Sequence, residues 1–201
     1  MFEAFLLSVL ILDLIIPFFI AIPYHGYSHT RQVMSVLGCR QSPWHGVYNV
    51  WMVFSGIMIS LFGCRLFIYY RLEHFGLSVT LLVLMLLYGV GDEVISGFFP
   101  INERKGDVSM APRIHGVGSV LGFMALQFAP LILSIISFKS SDAVMGWVSS
   151  VCFTFGLAAF VCFIMGDKPQ FKDTAFSLEG LWQRLVCLFL YVPFMVWLLV
   201  R

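Results

Sequence analysis

Charge is scarce in this chain. Only 11% of its 201 residues are Asp, Glu, Lys or Arg, less than half the share of about 25% found in soluble domains. Eleven acids against twelve bases leave a net charge of +1, so there is no field of one sign to attract nucleic acid and too little charge to keep a disordered chain solvated. Polar surface is short as well, because 60% of the residues are hydrophobic against about 45–50% in ordinary domains. A water-soluble fold of this size cannot cover itself with what is left. Also missing are the compact signatures of soluble catalysis: there is no P-loop, dinucleotide fingerprint, HExxH helix or nucleophile elbow. The cysteines (Cys39, Cys64, Cys152, Cys162 and Cys187) are odd in number and show no CxxC spacing, which excludes a disulfide framework or a zinc knuckle. At least four fall in or beside apolar runs, where cysteine acts as a small hydrophobe. A disulfide through Cys39 stays open if its loop faces an oxidising compartment.

What the chain has instead is long apolar runs. A helix needs about 20 such residues to cross the hydrocarbon core, and six stretches qualify: Ala4–Ile22, Val47–Tyr70, Leu77–Phe99, Ile114–Phe138, Ala143–Met165 and Leu181–Val200. Their continuity excludes barrel strands, which alternate. The first run has no basic flank and no A-x-A-like site after it, so it reads as a span rather than a signal peptide. The expectation is an all-α integral membrane bundle of six transmembrane helices, one domain over 1–201, in the cell membrane, with both termini on one side. Three long connections (23–46, 100–113 and 166–180) then share the opposite side and are the natural place for a site. Counting Lys and Arg favours the cytoplasm for those connections, although they also hold most of the acids.

Ionisable groups inside spans cost roughly 2.5–3.5 kcal/mol each on insertion scales, so the exceptions are informative. Asp13 sits near the middle of the first run, and Asp92 and Glu93 lie about two turns before Pro100. Asn49 opens the second run, His115 the fourth and Arg184 the sixth. Consecutive helical residues point about 100° apart, so Asp92 and Glu93 share a bundle interior only near its edge. They read either as a polar cavity wall or as a clasp with Arg184 or Arg113. Asp13 reads either as a proton relay or as a structural partner for a neighbouring span. His115 and Ser119 share a helix face, and Gly118 and Gly122 form a small-xxx-small pair suited to close helix contact. His115 is either a base or ligand contact, or a cap at the interface. His25, His29 and His45 crowd the first connection, but Pro23 and Gly26 break the helix that a metal site would need. None of the five histidines lies deep in a span, as axial haem ligation requires. The Trp and Tyr residues near the run ends fit interfacial belts.

Several segments together resemble a known family. Tyr27-Ser28-His29-Thr30-Arg31-Gln32-Val33-Met34-Ser35-Val36-Leu37-Gly38 is followed by Ser42-Pro43, Asn49 and Gly56. Gly97-Phe98-Phe99-Pro100-Ile101-Asn102 closes the third run, His115-Gly116 opens the fourth, and Gly180-Leu181-Trp182-Gln183-Arg184 opens the sixth. In order and placement these resemble a prokaryotic family of six-span proteins catalogued as domain of unknown function 998. Members often carry an Asp shortly after the Phe-Pro, where this chain has Asn102-Glu103. The family is distantly similar to the Frag/DRAM/Sfk group, some of whose members are linked to lipid remodelling or lipid organisation. The resemblance implies no established activity.

Three functions are compatible with this pattern. The favoured one is a module that binds or organises a lipid or amphiphile through a polar pocket at one membrane face. The ligand contacts would come from His29, Arg31, Ser35, Asn49, Asn102, Arg113, His115, Ser119 and Arg184, with an arginine on a phosphate. The second is an intramembrane lipid-modifying enzyme, with catalytic candidates His115, Asp92, Glu93, Glu103 and Ser35. The third is a small transporter or the membrane subunit of a larger complex. No metal or cofactor is expected. The expected partners are the bilayer and a lipophilic small molecule, with no nucleic acid; the oligomeric state is open.

Overall fold

The computed structural model describes residues 1–102 and 110–201; Glu103 lies outside them. Six helices are long and apolar enough to cross a membrane: α1 (Phe2–Ile20), α2 (His45–Tyr70), α3 (Phe75–Phe98), α4 (Met110–Lys139), α5 (Ala143–Gly166) and α6 (Glu179–Val200). The shortest has 19 residues, about 28 Å at the α-helical rise and close to the thickness of a hydrocarbon core. Among the described residues there is no strand. Single 3-10 turns at Met34–Gly38, Pro169–Phe171 and Ala175–Ser177 shape the first and last long connections.

Each helix packs on its chain neighbour, and α1 closes against α6, so the six form a ring. Much of the surface is apolar: Ile22, Val50, Trp147 and Phe155 point outward, as a lipid-facing surface requires. One half of the interior is solid. The Phe62 ring meets Phe194 edge to face and Trp197 at a tilt, each with centroids 5.8 Å apart, and the indole of Trp197 donates to Tyr70 Oη at 2.8 Å. At that end Glu3 pairs with Arg65 at 3.2 Å and Asp142 with Arg201 at 2.9 Å. These half-exposed pairs contribute little. Asp142 also caps α5 by accepting from the backbone N–H of Met145 at 3.1 Å.

The other half is built around an irregularity in α3. Leu87–Val94 is wound as π-helix between the α-helical stretches Phe75–Leu86 and Ile95–Phe98. Bonding i to i+5 puts more residues in each turn, so the angle between neighbours shrinks below the α-helical 100° step. Asp92 and Glu93 therefore both face inward, only 4% and 6% exposed. The π winding narrows the angle between the two side chains relative to the regular α-helix assumed from sequence. Glycines hold the stretch on both sides. Gly56 of α2 and Gly89 of α3 lie backbone to backbone, and a Cβ on Gly118 of α4 would collide with the backbone oxygen of Gly91. A Cβ on Gly122 would meet Asp92 itself.

Backbone atoms cannot retreat as a side chain can. Gly118→Ala is therefore expected to destabilise the protein by about 1–3 kcal/mol, the usual range for overpacking. Gly76→Ala, where an added Cβ meets nothing, should stay within about 0.5 kcal/mol of wild type. Thermal unfolding in detergent compares the two, and equal melting temperatures would show that the α3–α4 approach has slack.

Candidate functional site

The ring encloses a cavity of about 320 Å³ in its second half, and all six helices contribute to the wall. The chemistry of the wall is divided. Toward α1, α2 and α3 it presents Asp13, Tyr48, Tyr88, Asp92, Glu93 and Ser96. Toward α5 it presents only Phe160, Phe163 and Ile164, joined by Val120, Phe123 and Met124 of α4. Val120, Met124 and Ile164 are also 59%, 50% and 47% exposed, so the apolar side adjoins the outer, lipid-facing surface between α4 and α5.

The polar side is tied together by one hydrogen-bonded chain. The Trp51 indole donates to Asp13 Oδ1 at 2.7 Å, and Tyr191 Oη meets Asp13 Oδ2 at 2.8 Å. Tyr191 Oη and Tyr88 Oη are 2.7 Å apart, and Tyr88 Oη lies 2.9 Å from Glu93 Oε1. Ser55 Oγ reaches Glu93 Oε2 at 3.1 Å. Residues from α1, α2, α3 and α6 thus bring two carboxyl groups into one network. Asp92 stands beside Ser119, whose hydroxyl is 3.3 Å from that of Ser96. His115 is 6% exposed and lines the cavity. Its Nδ1 has no hydrogen-bond partner, while the ring faces the backbone oxygens of Ser96 and Phe99. It lies in the second turn of α4 as wall of the cavity, not as a cap at the helix end. No Lys or Arg lines the cavity among the described residues.

The profile of a family described as "Protein of unknown function (DUF998)" matches residues 8–200. The chain belongs to the DUF998 family. No curated protein and no solved structure matches it. The match places this DUF998 chain in a multi-pass membrane family and says nothing of the wider Frag/DRAM/Sfk group.

Arg184 is where the geometry departs furthest from the sequence reading. It pairs with neither Asp92 nor Glu93 and faces away from the cavity. Its Nη1 donates to the backbone oxygens of His29 and Gly180 at 2.6 and 2.9 Å, and its Nη2 to Tyr27 Oη at 2.9 Å. Nη2 also lies 3.2 Å from His29 Nδ1, and the guanidinium sits over the rings of Phe18 and Tyr27. Leu181 N–H donates to Thr30 O at 3.0 Å in the same clasp. Two of the family-like segments, Tyr27–Gly38 and Gly180–Arg184, therefore meet as a structural lock. Burial first, and the neighbouring charge of Arg184 second, hold the His29 pKa below its ordinary value of 6.5. Tyr27 is shifted upward by burial.

The other expected ligand contacts divide the same way. Ser35, His115 and Ser119 line the cavity. His29 belongs to the clasp. Asn49 holds the first connection, its Nδ2 donating to Gly38 O at 3.1 Å. Arg31 and Arg113 are exposed at the surface, and half-buried Asn102 is not part of the cavity wall. Of the catalytic candidates, Asp92, Glu93, His115 and Ser35 share the cavity, and no hydrogen bond joins Ser35 to His115 among the described residues. Tyr88 and Tyr191 are central and neither is among the residues expected from sequence; Asp13, expected as either a proton relay or a structural partner, supplies the second carboxyl. Asp13 stood out as an acid in mid-span, but its partners are up to 178 residues away. The two tyrosines are indistinguishable in sequence from core or belt aromatics.

Replacing Arg184 by Lys should cost about 1–2 kcal/mol, because a point ammonium cannot reproduce the forked set of bonds to half-buried acceptors. Chemical unfolding in mixed micelles measures this, and a wild-type value for Arg184→Lys would discard the clasp. His29 adds a pH dependence. Its folded pKa is depressed, so its contribution is present above about 6.5 and is lost as the pH falls through the lower folded value. Limited proteolysis of the first connection should accelerate on acidification, and His29→Gln should remove that acceleration.

Proposed function

We propose that this DUF998 protein, a multi-pass protein of the cell membrane, binds or organises an amphiphile, with the ligand's polar end in the cavity and its apolar portion along α4 and α5. One observation carries this reading: a single cavity is acid- and hydroxyl-lined on one side and aromatic and aliphatic on the other. The apolar side runs into residues that face lipid, so a chain can enter sideways without crossing a polar surface. A volume of about 320 Å³ falls at the small end of ligand pockets, which span about 300–1,000 Å³. It suits a head and one chain segment rather than two acyl chains. The expectation of a phosphate held by Arg184, Arg113 or Arg31 is withdrawn, because those cations lie elsewhere and carboxyls face the ligand.

The test is thermal stability in detergent with fractionated membrane lipids and single-chain amphiphiles, together with mass spectrometry of whatever copurifies. A ligand at about one hundred times its Kd stabilises by about 2.7 kcal/mol. Met124→Trp, which fills the apolar side, should abolish the shift while leaving the unliganded protein folded. If no amphiphile moves the wild-type melting temperature and none copurifies, the reading fails.

A further inference from the structure

We infer that the polar end of the cavity takes a primary ammonium group carried on a single apolar chain, and that the ammonium enters in exchange for a proton shared between Asp13 and Glu93. This rests on the amphiphile reading and names the ligand class. The inference begins with counting protons. The links Asp13–Tyr191, Tyr191–Tyr88 and Tyr88–Glu93 are three short O···O contacts. Each needs one hydrogen, and each phenol supplies one. With both carboxyls ionised, two hydrogens serve three links, and one pair of oxygens is left lone pair against lone pair. One additional proton completes the chain: Glu93 donates to Tyr88, Tyr88 to Tyr191, and Tyr191 to Asp13. The indole N–H of Trp51, on the other oxygen of Asp13, favours leaving the negative charge there.

The remainder of the polar wall adds a third acid, Asp92, to neutral groups that can donate or accept, the hydroxyls of Ser35, Ser96 and Ser119 and the amide of Gln183, and among the described residues it holds no Lys or Arg. α1 contributes Asp13 and α2 contributes Tyr48. α3 adds Tyr88, Asp92 and Glu93, and α6 adds Cys187, with Tyr191 behind the wall. From α4 comes His115, more than nine-tenths buried, with an orphaned Nδ1. The other ring nitrogen faces backbone oxygens and so carries the hydrogen, which leaves Nδ1 as a bare acceptor. The α5 wall and the segment Val33–Ser35 present nothing ionisable. The three carboxyls and the bare Nδ1 call for a donor, and a cation offsets the buried carboxylates as well. Among the described residues no group of His, Cys, Asp or Glu is disposed to hold a metal ion, whereas an ammonium needs no fixed coordination shell. Charge balances if one proton leaves as one ammonium arrives: the acid ionises, the proton passes to solvent, an ammonium N–H takes the place of the lost donor at the carboxylate, and no covalent bond changes in the ligand.

The experiment uses the full chain in nanodiscs of zwitterionic lipid, with empty nanodiscs as the blank. Dodecylamine, dodecanol, dodecyl phosphate and ethylamine are compared by melting temperature. Calorimetry in buffers of different ionisation enthalpy counts protons. Dodecylamine alone should raise the melting temperature, by about 5 °C near saturation, and should release about one proton per molecule bound. Glu93→Gln should weaken dodecylamine binding at least tenfold and abolish proton release. If that variant does not fold, Tyr191→Phe keeps both acids but unlinks them, and should retain binding while losing most of the proton release. Equal stabilisation by dodecanol overturns the ammonium and leaves the amphiphile reading standing. Stabilisation by dodecyl phosphate, or by ethylamine as strongly as by dodecylamine, also overturns the inference. Silence from all four, with no response to membrane lipids, removes both.

Discussion

A carboxyl group inside a hydrocarbon span costs roughly 2.5–3.5 kcal/mol on insertion scales, and Asp13, Asp92 and Glu93 are placed there together around one cavity. No guanidinium or ammonium lines it among the described residues. The burden falls on neutral partners instead: the Trp51 indole and the Tyr191 phenol on Asp13, and the Tyr88 phenol and the Ser55 hydroxyl beside Glu93. Such a network is stable only when every link has its hydrogen. That requirement fixes where Tyr88 and Tyr191 stand, and it makes α6 a necessary partner of α1 and α3. The other half of the bundle, filled by Phe62, Phe194 and Trp197, carries no comparable constraint and packs as an ordinary apolar core.

The π-wound stretch of α3 follows from the same requirement. A regular α-helix through residues 87–94 would hold Asp92 and Glu93 about 100° apart, so that both face inward only near the edge of the interior. Widening the turn gives up some backbone hydrogen-bond geometry and keeps both acids inside. The glycine contacts at Gly56–Gly89 and Gly91–Gly118 brace the irregular backbone from two neighbouring helices. Without close backbone contact on both sides, a relaxed segment would have room to return to α-helix.

Much of this was legible in the sequence. The six spans follow from continuous apolar runs, and the observed helices agree to within a few residues at most ends. The intramembrane acids and His115 announce themselves by their solvation cost alone. The rest was illegible for specific reasons. The π winding of Leu87–Val94 leaves no periodicity that separates it from α-helix. Tyr88 and Tyr191 become polar links only because the ring closes and brings residues 103 positions apart to 2.7 Å. Arg184 invited an acidic partner, yet its donors go to backbone oxygens, and a carbonyl that awaits a guanidinium has no residue type to advertise it.

The clasp and the cavity are nevertheless coupled through one turn of α6. Arg184 points at the first connection, while its neighbour Gln183 points into the cavity and accepts from the backbone N–H of Met34 at 2.6 Å. Met34 is itself cavity wall. The first connection is therefore held at two adjacent points, one on its outer side by the guanidinium and one on its inner side by the amide. A loop fixed only by Arg184 would pivot about that contact, and one fixed only by Gln183 would lift from the helix. Held by both, residues 33–35 form a fixed wall over the polar end. The loop that carries His29 is thus the same loop that borders the acid-lined cavity.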